Sequence, residues 1–148
     1  MTYEERMGNI LNEIGTNFVS AIATVSKKGE PSVRVVSFVR IGEELYFQTD
    51  RTMGKAIDIE NNHLVAICIE GMQIKGKCYE VGTVSDNPDF KDEYRNAFPS
   101  AYKKYSFLEN ERVYKVSPEI IICWSYIDNK PCYEIFDIKK HTYIVQEY

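Results

Sequence analysis

The chain has 148 residues, 44% hydrophobic and 27% charged, with a net charge of −4 and a pI near 5.3. That length suits one domain with a core large enough to stand without staples, so residues 1–148 read as a single domain. The acidic balance excludes a general nucleic-acid binder, which needs a basic face to displace counterions, and no apolar run approaches the ~20 residues that span a bilayer.

The N-terminal stretch "MTYEERMGNILNEIG" is charged and amphipathic, with no signal-peptide core, so the expected location is the cytosol. Thr2 and Glu5 have capping-box spacing. Met7, Ile10, Leu11 and Ile14 recur at helical spacing, and Gly15 supplies a stop, which predicts a helix over 3–14. "FVSAIATVS" follows as a strand and "KKGE" as a turn. "PSVRVVSFVRI", a turn at "GEE" and "LYFQT" continue the pattern, as expected of an antiparallel meander. Residues 52–61 read as helix, with Thr52 a competent N-cap. "LVAICIE" is a strand closed by Gly71. "QIKGKCYEVGTVS" is a longer one, in which Gly76 predicts a bend or bulge. Asn87 and Pro88 open a polar helix to about Phe98, and "SAYKKY" continues as irregular chain or a helical turn. "RVYKVS", "IIICWSYI" and "YEIFD" are expected as separate strands, the last two joined by a turn at "DNKP". About seven strands and three helices result. The expected fold class is mainly β (α+β), a closed or nearly closed antiparallel barrel with peripheral helices.

Chemistry-bearing residues concentrate at one strand-to-helix junction, "LYFQTDRTMGKAIDI". Thr49 ends a strand, Arg51 and Thr52 follow, and Lys55 falls in the first helical turn. The spacing excludes a P-loop, which needs an earlier glycine and a hydroxyl after the lysine. An ordinary capped helix accounts for the stretch by itself. A helix N-terminus nevertheless favours an anion. In "SVRVVSFVR", Arg34, Val36, Phe38 and Arg40 share one face. That face reads either as solvated, with cross-strand Glu partners, or as a pocket wall. If this strand pairs with "LYFQT" across Gly42, Arg34 comes alongside Arg51 and Lys55, and the cations could hold a phosphate dianion.

Metal chemistry is not expected, because the two histidines, His63 and His141, have no partner at ligand spacing. His63 reads as a helix C-terminal residue. Cys68 and Cys123 sit in apolar runs and are expected as inert core residues. With Cys78 and Cys132 they form no CxxC pair and are expected as reduced thiols. No G-x-S-x-G elbow is present. Trp124 reads as a core aromatic or as an indole bordering a pocket.

The segments "GEPSVRVVSFV", "ELYFQT", "GKAIDIENNHLVAICI" and "IKGKCYEVGTV", with "YKVSPEIIICW" and "KPCYE" near the C-terminus, are similar to the pyridoxamine 5′-phosphate oxidase-like, FMN-binding split-barrel family. The resemblance covers most of the chain and points to a short single-domain member. It implies a homodimer with FMN in a cleft between protomers and a small-molecule substrate. By position it implies Arg34 and Lys55 on the FMN phosphate, and Val35, Val36 and Ser37 along the ring edge. Gln48 and Thr49 would contact the flavin or phosphate, and Arg51 or Thr52 would compensate for Gly54, which stands where many members carry arginine. Gln73 would reach the ring from the partner, and Trp124 would border the site. The catalytic residues are not assigned. Authentic pyridoxamine phosphate oxidases resemble one another in an arginine-bearing C-terminal motif. The last arginine here is Arg112, so vitamin B6 oxidation is not expected. The implied activity is an FMN-dependent oxidoreductase. The alternatives are a non-catalytic flavin-binding or electron-transfer protein, or a related barrel that binds haem or a deazaflavin.

Overall fold

In the computed structural model, which describes residues 1–148, the first helix lies where the sequence places it. Helix α1 (Tyr3–Ile14) is capped by the Thr2 hydroxyl, which accepts from the Glu5 N–H at 3.2 Å, and Gly15 ends it at φ +77°. Tyr3, Met7, Ile10 and Ile14 form its buried stripe.

Strands β1 (Asn17–Val25), β2 (Pro31–Ile41) and β3 (Glu44–Asp50) form the expected meander. Helix α2 (Gly54–Asn61) follows, then β4 (Leu64–Ile69) and β5 (Met72–Gly82). Helices α3 (Pro88–Ala97) and α4 (Pro99–Tyr105) precede β6 (Glu111–Ile127), β7 (Lys130–Asp137) and β8 (Thr142–Glu147). The sheet order is β3-β2-β1-β4-β5-β6-β7-β8, and β3 also pairs with β6. That extra pairing closes β1 to β6 into an antiparallel six-stranded barrel, while β7 and β8 extend the sheet beyond it.

The barrel interior holds Ile22, Phe38, Phe47, Ile67, Ile74 and Ile121, each essentially inaccessible to solvent. Each such side chain contributes about 1.5–3 kcal/mol of burial. Ala56 and Ile59 of α2 join this core, so α2 packs against the barrel. A second, smaller core of Val39, Val84, Phe90, Tyr94 and Val113 sits under α3 on the outside of the barrel.

Several sequence expectations need correction. "RVYKVS" and "IIICWSYI" are not separate strands; they form the single β6, which runs through Pro118. Proline survives there because the ladder is already irregular. Lys75 pairs with Ile120 and Gly76 with Pro118, leaving Glu119 as the extra residue. Gly76 fits the expected bulge, since a Cβ there would collide with the Ser117 carbonyl oxygen. Four helices form rather than three, because Pro99 restarts the helix at its first position after Phe98 leaves helical geometry. The strand β8 had no counterpart among the expected elements. Helix α2 begins at Gly54, with Met53 at the N-cap and no side-chain cap; Thr52 instead binds Asp50 through both its N–H and its hydroxyl. Cys68 is exposed rather than core, whereas Cys78, Cys123 and Cys132 are buried, and all four are free thiols.

Candidate functional site: a cationic group between β2 and the start of α2

Alternation along β2 puts Phe38 in the core, Val36 against it and Arg34 on the same face. That face is the barrel interior, not the solvated surface with glutamate partners. Arg34 Nη1 donates to Thr24 Oγ1 at 2.7 Å, and Nη2 lies 3.9 Å from Asp58 Oδ2. The Thr24 hydroxyl in turn donates to Asp58 Oδ2 at 2.8 Å. Thr24 is wholly buried on β1, and Asp58 projects from α2. The route by which Arg34 approaches the junction differs from the expected one. The β2–β3 ladder spans only Val39 to Ile41 and never reaches Arg34. Helix α2 makes the connection instead.

Lys55, in the first turn of α2, donates from Nζ to Thr49 Oγ1 at 3.2 Å and has no carboxylate partner among the salt bridges of the chain. Its pKa is pushed below the ordinary lysine value, first by burial and then by the Arg34 charge, while Glu111 opposes the shift. Arg34, Lys55 and Thr49 therefore form one group. The first N–H groups of α2 have no side-chain cap beside them. This donor set suits an anion: two cations, a hydroxyl and free backbone donors, against Asp58 at the edge of ion-pair range of Arg34 and Glu111 near enough to act on Lys55.

Gln48 faces away from this group. Neighbouring strand residues point to opposite sides, so Thr49 turns toward Lys55 and Gln48 toward α4. Gln48 Nε2 donates to Glu111 Oε2 at 2.9 Å and its Oε1 accepts from the Ser106 hydroxyl at 2.8 Å. Burial raises the Glu111 pKa above the ordinary carboxylate value. Arg51 also points elsewhere. Its Nε donates to Asn110 Oδ1 at 3.2 Å, and it lines a cavity of about 390 Å³ with Glu60, His63, Glu80 and Tyr114. His63 stacks on Tyr79 and its Nδ1 lies 3.1 Å from the Cys78 carbonyl oxygen.

The remaining expected residues face outward or pack inward along other rows. Val36 packs on the core, whereas Val35 is 65% exposed on the outer face, and Ser37 shares that face. Gln73 of β5 and Trp124 of β6 line an outward concavity of about 510 Å³ with Ile122 and Tyr133. The Gln73 row lies three strands from β2, about 14 Å along the sheet, and on the opposite face from Arg34. The chain thus presents two separate groups, an inward cationic one and an outward aromatic one.

Sequence reasoning missed Thr24 and Asp58 beside Arg34, and Ser106 and Glu111 beside Gln48. Neither Thr24 nor Asp58 had a distinctive local signal: Thr24 shares the inward row of β1 with Phe18, Ser20 and Ile22, and Asp58 lies three residues beyond Lys55 on the same face of the helix.

A family model described as pyridoxamine 5′-phosphate oxidase matches residues 9–125. No curated protein sequence matches the chain significantly. Solved structures with a similar fold include PhzG of Burkholderia lata 383, crystallised with tetrahydrophenazine-1-carboxylic acid. It has a TM-score of 0.69 and 14% identity, over 99% of this chain and 92% of PhzG. A pyridoxamine 5′-phosphate oxidase-related, FMN-binding protein of Nostoc punctiforme PCC 73102 has a TM-score of 0.65 and 14% identity, over 88% of this chain and 86% of its own. The haem storage protein HutZ of Vibrio cholerae has a TM-score of 0.62 and 18% identity, over 80% and 92% respectively. At these identities the likeness concerns the fold. No helix is long and apolar enough to cross a membrane.

Proposed function

Because the chain belongs to the pyridoxamine 5′-phosphate oxidase family, we propose that it is an FMN-binding flavoprotein. Its activity on this reading is that of an oxidoreductase, moving hydride or electrons from a reduced nicotinamide or other small donor to a small nitroaromatic or quinone-like acceptor. One observation carries the reading: Arg34 and Lys55 both meet α2, Arg34 at Asp58 and Lys55 beside Thr49 at the uncapped helix start, near enough for the Arg34 charge to act on Lys55. A phosphomonoester dianion needs two cations and a few N–H or O–H donors in one place, and this group has them.

When bound, FMN supplies the redox chemistry at its ring. The chain's own part is binding and orientation. Arg34 and Lys55 neutralise the phosphate, Thr49 offers a hydroxyl, and Gly54 leaves the helix start open beside them. Arg51 and Gln48 contribute to this group only if they leave Asn110 and the Ser106–Glu111 pair. No side chain is assigned as a general acid or base.

A second copy of the chain completes the site on this reading. Gln73 and Trp124 lie too far from Arg34, and on the wrong face, to meet the same ligand within one protomer. The outer face carrying Val19, Val33 and Val35 is apolar and uncovered, as a homodimer interface requires. The neighbours include a haem protein, but neither histidine favours haem here. His63 is held by Tyr79 and the Cys78 carbonyl, and His141 lies beside Tyr3.

Titration with FMN, followed by flavin absorbance near ~450 nm and fluorescence, tests the reading. Binding is expected, with Arg34→Ala and Lys55→Ala each weakening it about tenfold or more, as for hydrogen bonds to charged groups. A colourless protein that takes up no FMN would sink it. If FMN binds but neither nicotinamide reduces it, the protein is a flavin carrier or electron-transfer partner rather than a reductase.

A further inference from the structure

We infer that Thr24 and Asp58 are positioning residues that hold Arg34 in register with Lys55 for a phosphate dianion, an inference that rests on the FMN reading above. Arginine carries only donors, so Arg34 Nη1 must give its proton to Thr24 Oγ1 across 2.7 Å. The single hydroxyl proton of Thr24 is then free for Asp58 Oδ2, 2.8 Å away. The relay runs one way, from cation through hydroxyl to carboxylate. At that point it needs an atom that accepts and donates at once. Thr24 is 0% exposed, so this link is shielded from bulk solvent.

The register shows how far Arg34 is drawn from its default direction. Its partner across the ladder is Ile22, not Thr24. The guanidinium therefore leans diagonally along β1 toward α2. Asp58 follows Lys55 by one helical turn, so α2 carries one cation of the pair and the anchor of the other. Asp58 also sets a carboxylate 3.9 Å from Arg34 in a partly buried site, where burial first and then the Arg34 charge lower the Lys55 pKa. An arginine fixed before the ligand arrives loses less freedom on binding.

FMN and riboflavin share the ring and ribityl chain and differ in the phosphate, so the ratio of their dissociation constants reports the phosphate group alone. The experiment measures both constants by flavin fluorescence for wild type, Thr24→Val, Thr24→Ala and Thr24→Ser, with melting temperatures alongside. Valine and alanine are expected to cut the preference for FMN about five- to tenfold while riboflavin binding holds, and serine is expected to retain the preference. Should Thr24→Val fail to fold, the alanine and serine variants, which differ by the hydroxyl alone, carry the comparison. An unchanged ratio in the alanine variant, with a wild type that prefers FMN, overturns this inference alone. A wild type with no preference for FMN overturns the phosphate reading and this inference together.

Discussion

Lys55 stands where its own charge is disfavoured, because burial and Arg34 both push its pKa down and no carboxylate pairs with it. The charged form therefore costs stability in the folded state at neutral pH. That cost is relieved as pH rises through the lowered folded pKa toward the ordinary value near 10.4. Lys55→Met is expected to raise Tm by about 1–2 °C at pH 7, a small gain after allowing for solvent screening, while weakening FMN binding. Thermal melts at pH 7 and pH 10 check it; the gain should shrink at the higher pH. A loss of stability at pH 7 would contradict this account. That Arg34 would come near Lys55 was legible in the sequence, although α2, and not the β2–β3 ladder, brings them together. Thr24 and Asp58 were not legible, because threonine in a strand reads as a β-former and an acid in a helix reads as solvated. Their roles exist only once β1, β2 and α2 meet. The opposite orientations of Gln48 and Thr49 follow from strand alternation, but the Asn110 partner of Arg51 comes from a loop sixty residues downstream in round terms, beyond any local pattern.

Between elements, the firmest polar clasp joins α1 to β7. Arg6 donates to both oxygens of Glu134, at 2.7 and 2.8 Å, and the Tyr143 hydroxyl of β8 donates to the same carboxylate at 2.6 Å. The Glu134 side chain is 3% exposed. Removing Arg6 would leave a buried carboxylate without its counter-charge, so Arg6→Met is expected to cost about 3 kcal/mol. That is the low end for a broken buried pair, because an adjoining cavity of about 450 Å³ lets water approach. Arg6 holds the Glu134 pKa below its ordinary value, so the stabilisation is present above about pH 4 and fades as pH falls through the folded pKa. Urea unfolding at pH 7 and pH 3 should show a wide gap between wild type and variant that narrows in acid. The element boundaries of α1 and β2 were legible, since a capping threonine and a terminal glycine bracket the one, and Pro31 and Gly42 bracket the other. The unity of β6 was not. Pro118 reads as a strand breaker, and only the bulge opposite Gly76 makes room for it. Strand β8 was missed although Tyr143, Val145 and Glu147 alternate with Thr142, Ile144 and Gln146, because most of it is exposed and its pairing with β7 defines it.

For the molecule as a whole, the outer face of the barrel along β2 is unevenly covered. Helix α3 covers it at Val39, with Val113 of β6, whereas Val33 and Val35 further along the same strand, and Val19 of β1, are 68%, 65% and 57% exposed. If a second copy covers that face, Val35→Glu should give a monomer by light scattering where wild type gives a dimer, with FMN affinity falling alongside. A monomeric wild type at micromolar concentration, or a variant that still dimerises, would refute the interface. A closed or nearly closed antiparallel barrel was legible from short strands and glycine turns, but which strands meet at its seam was not, because β3 and β6 are far apart in the chain. That seam also has a consequence for the order of events during folding. Strands β1 to β3 and β4 to β5 can form from near neighbours, yet β3 keeps an open edge until Val116 finds Leu45. Loop-closure entropy must be met before that contact gives anything back. Ring closure therefore belongs late on the folding path. During synthesis, β3 must wait with its edge unpaired until β6 has emerged.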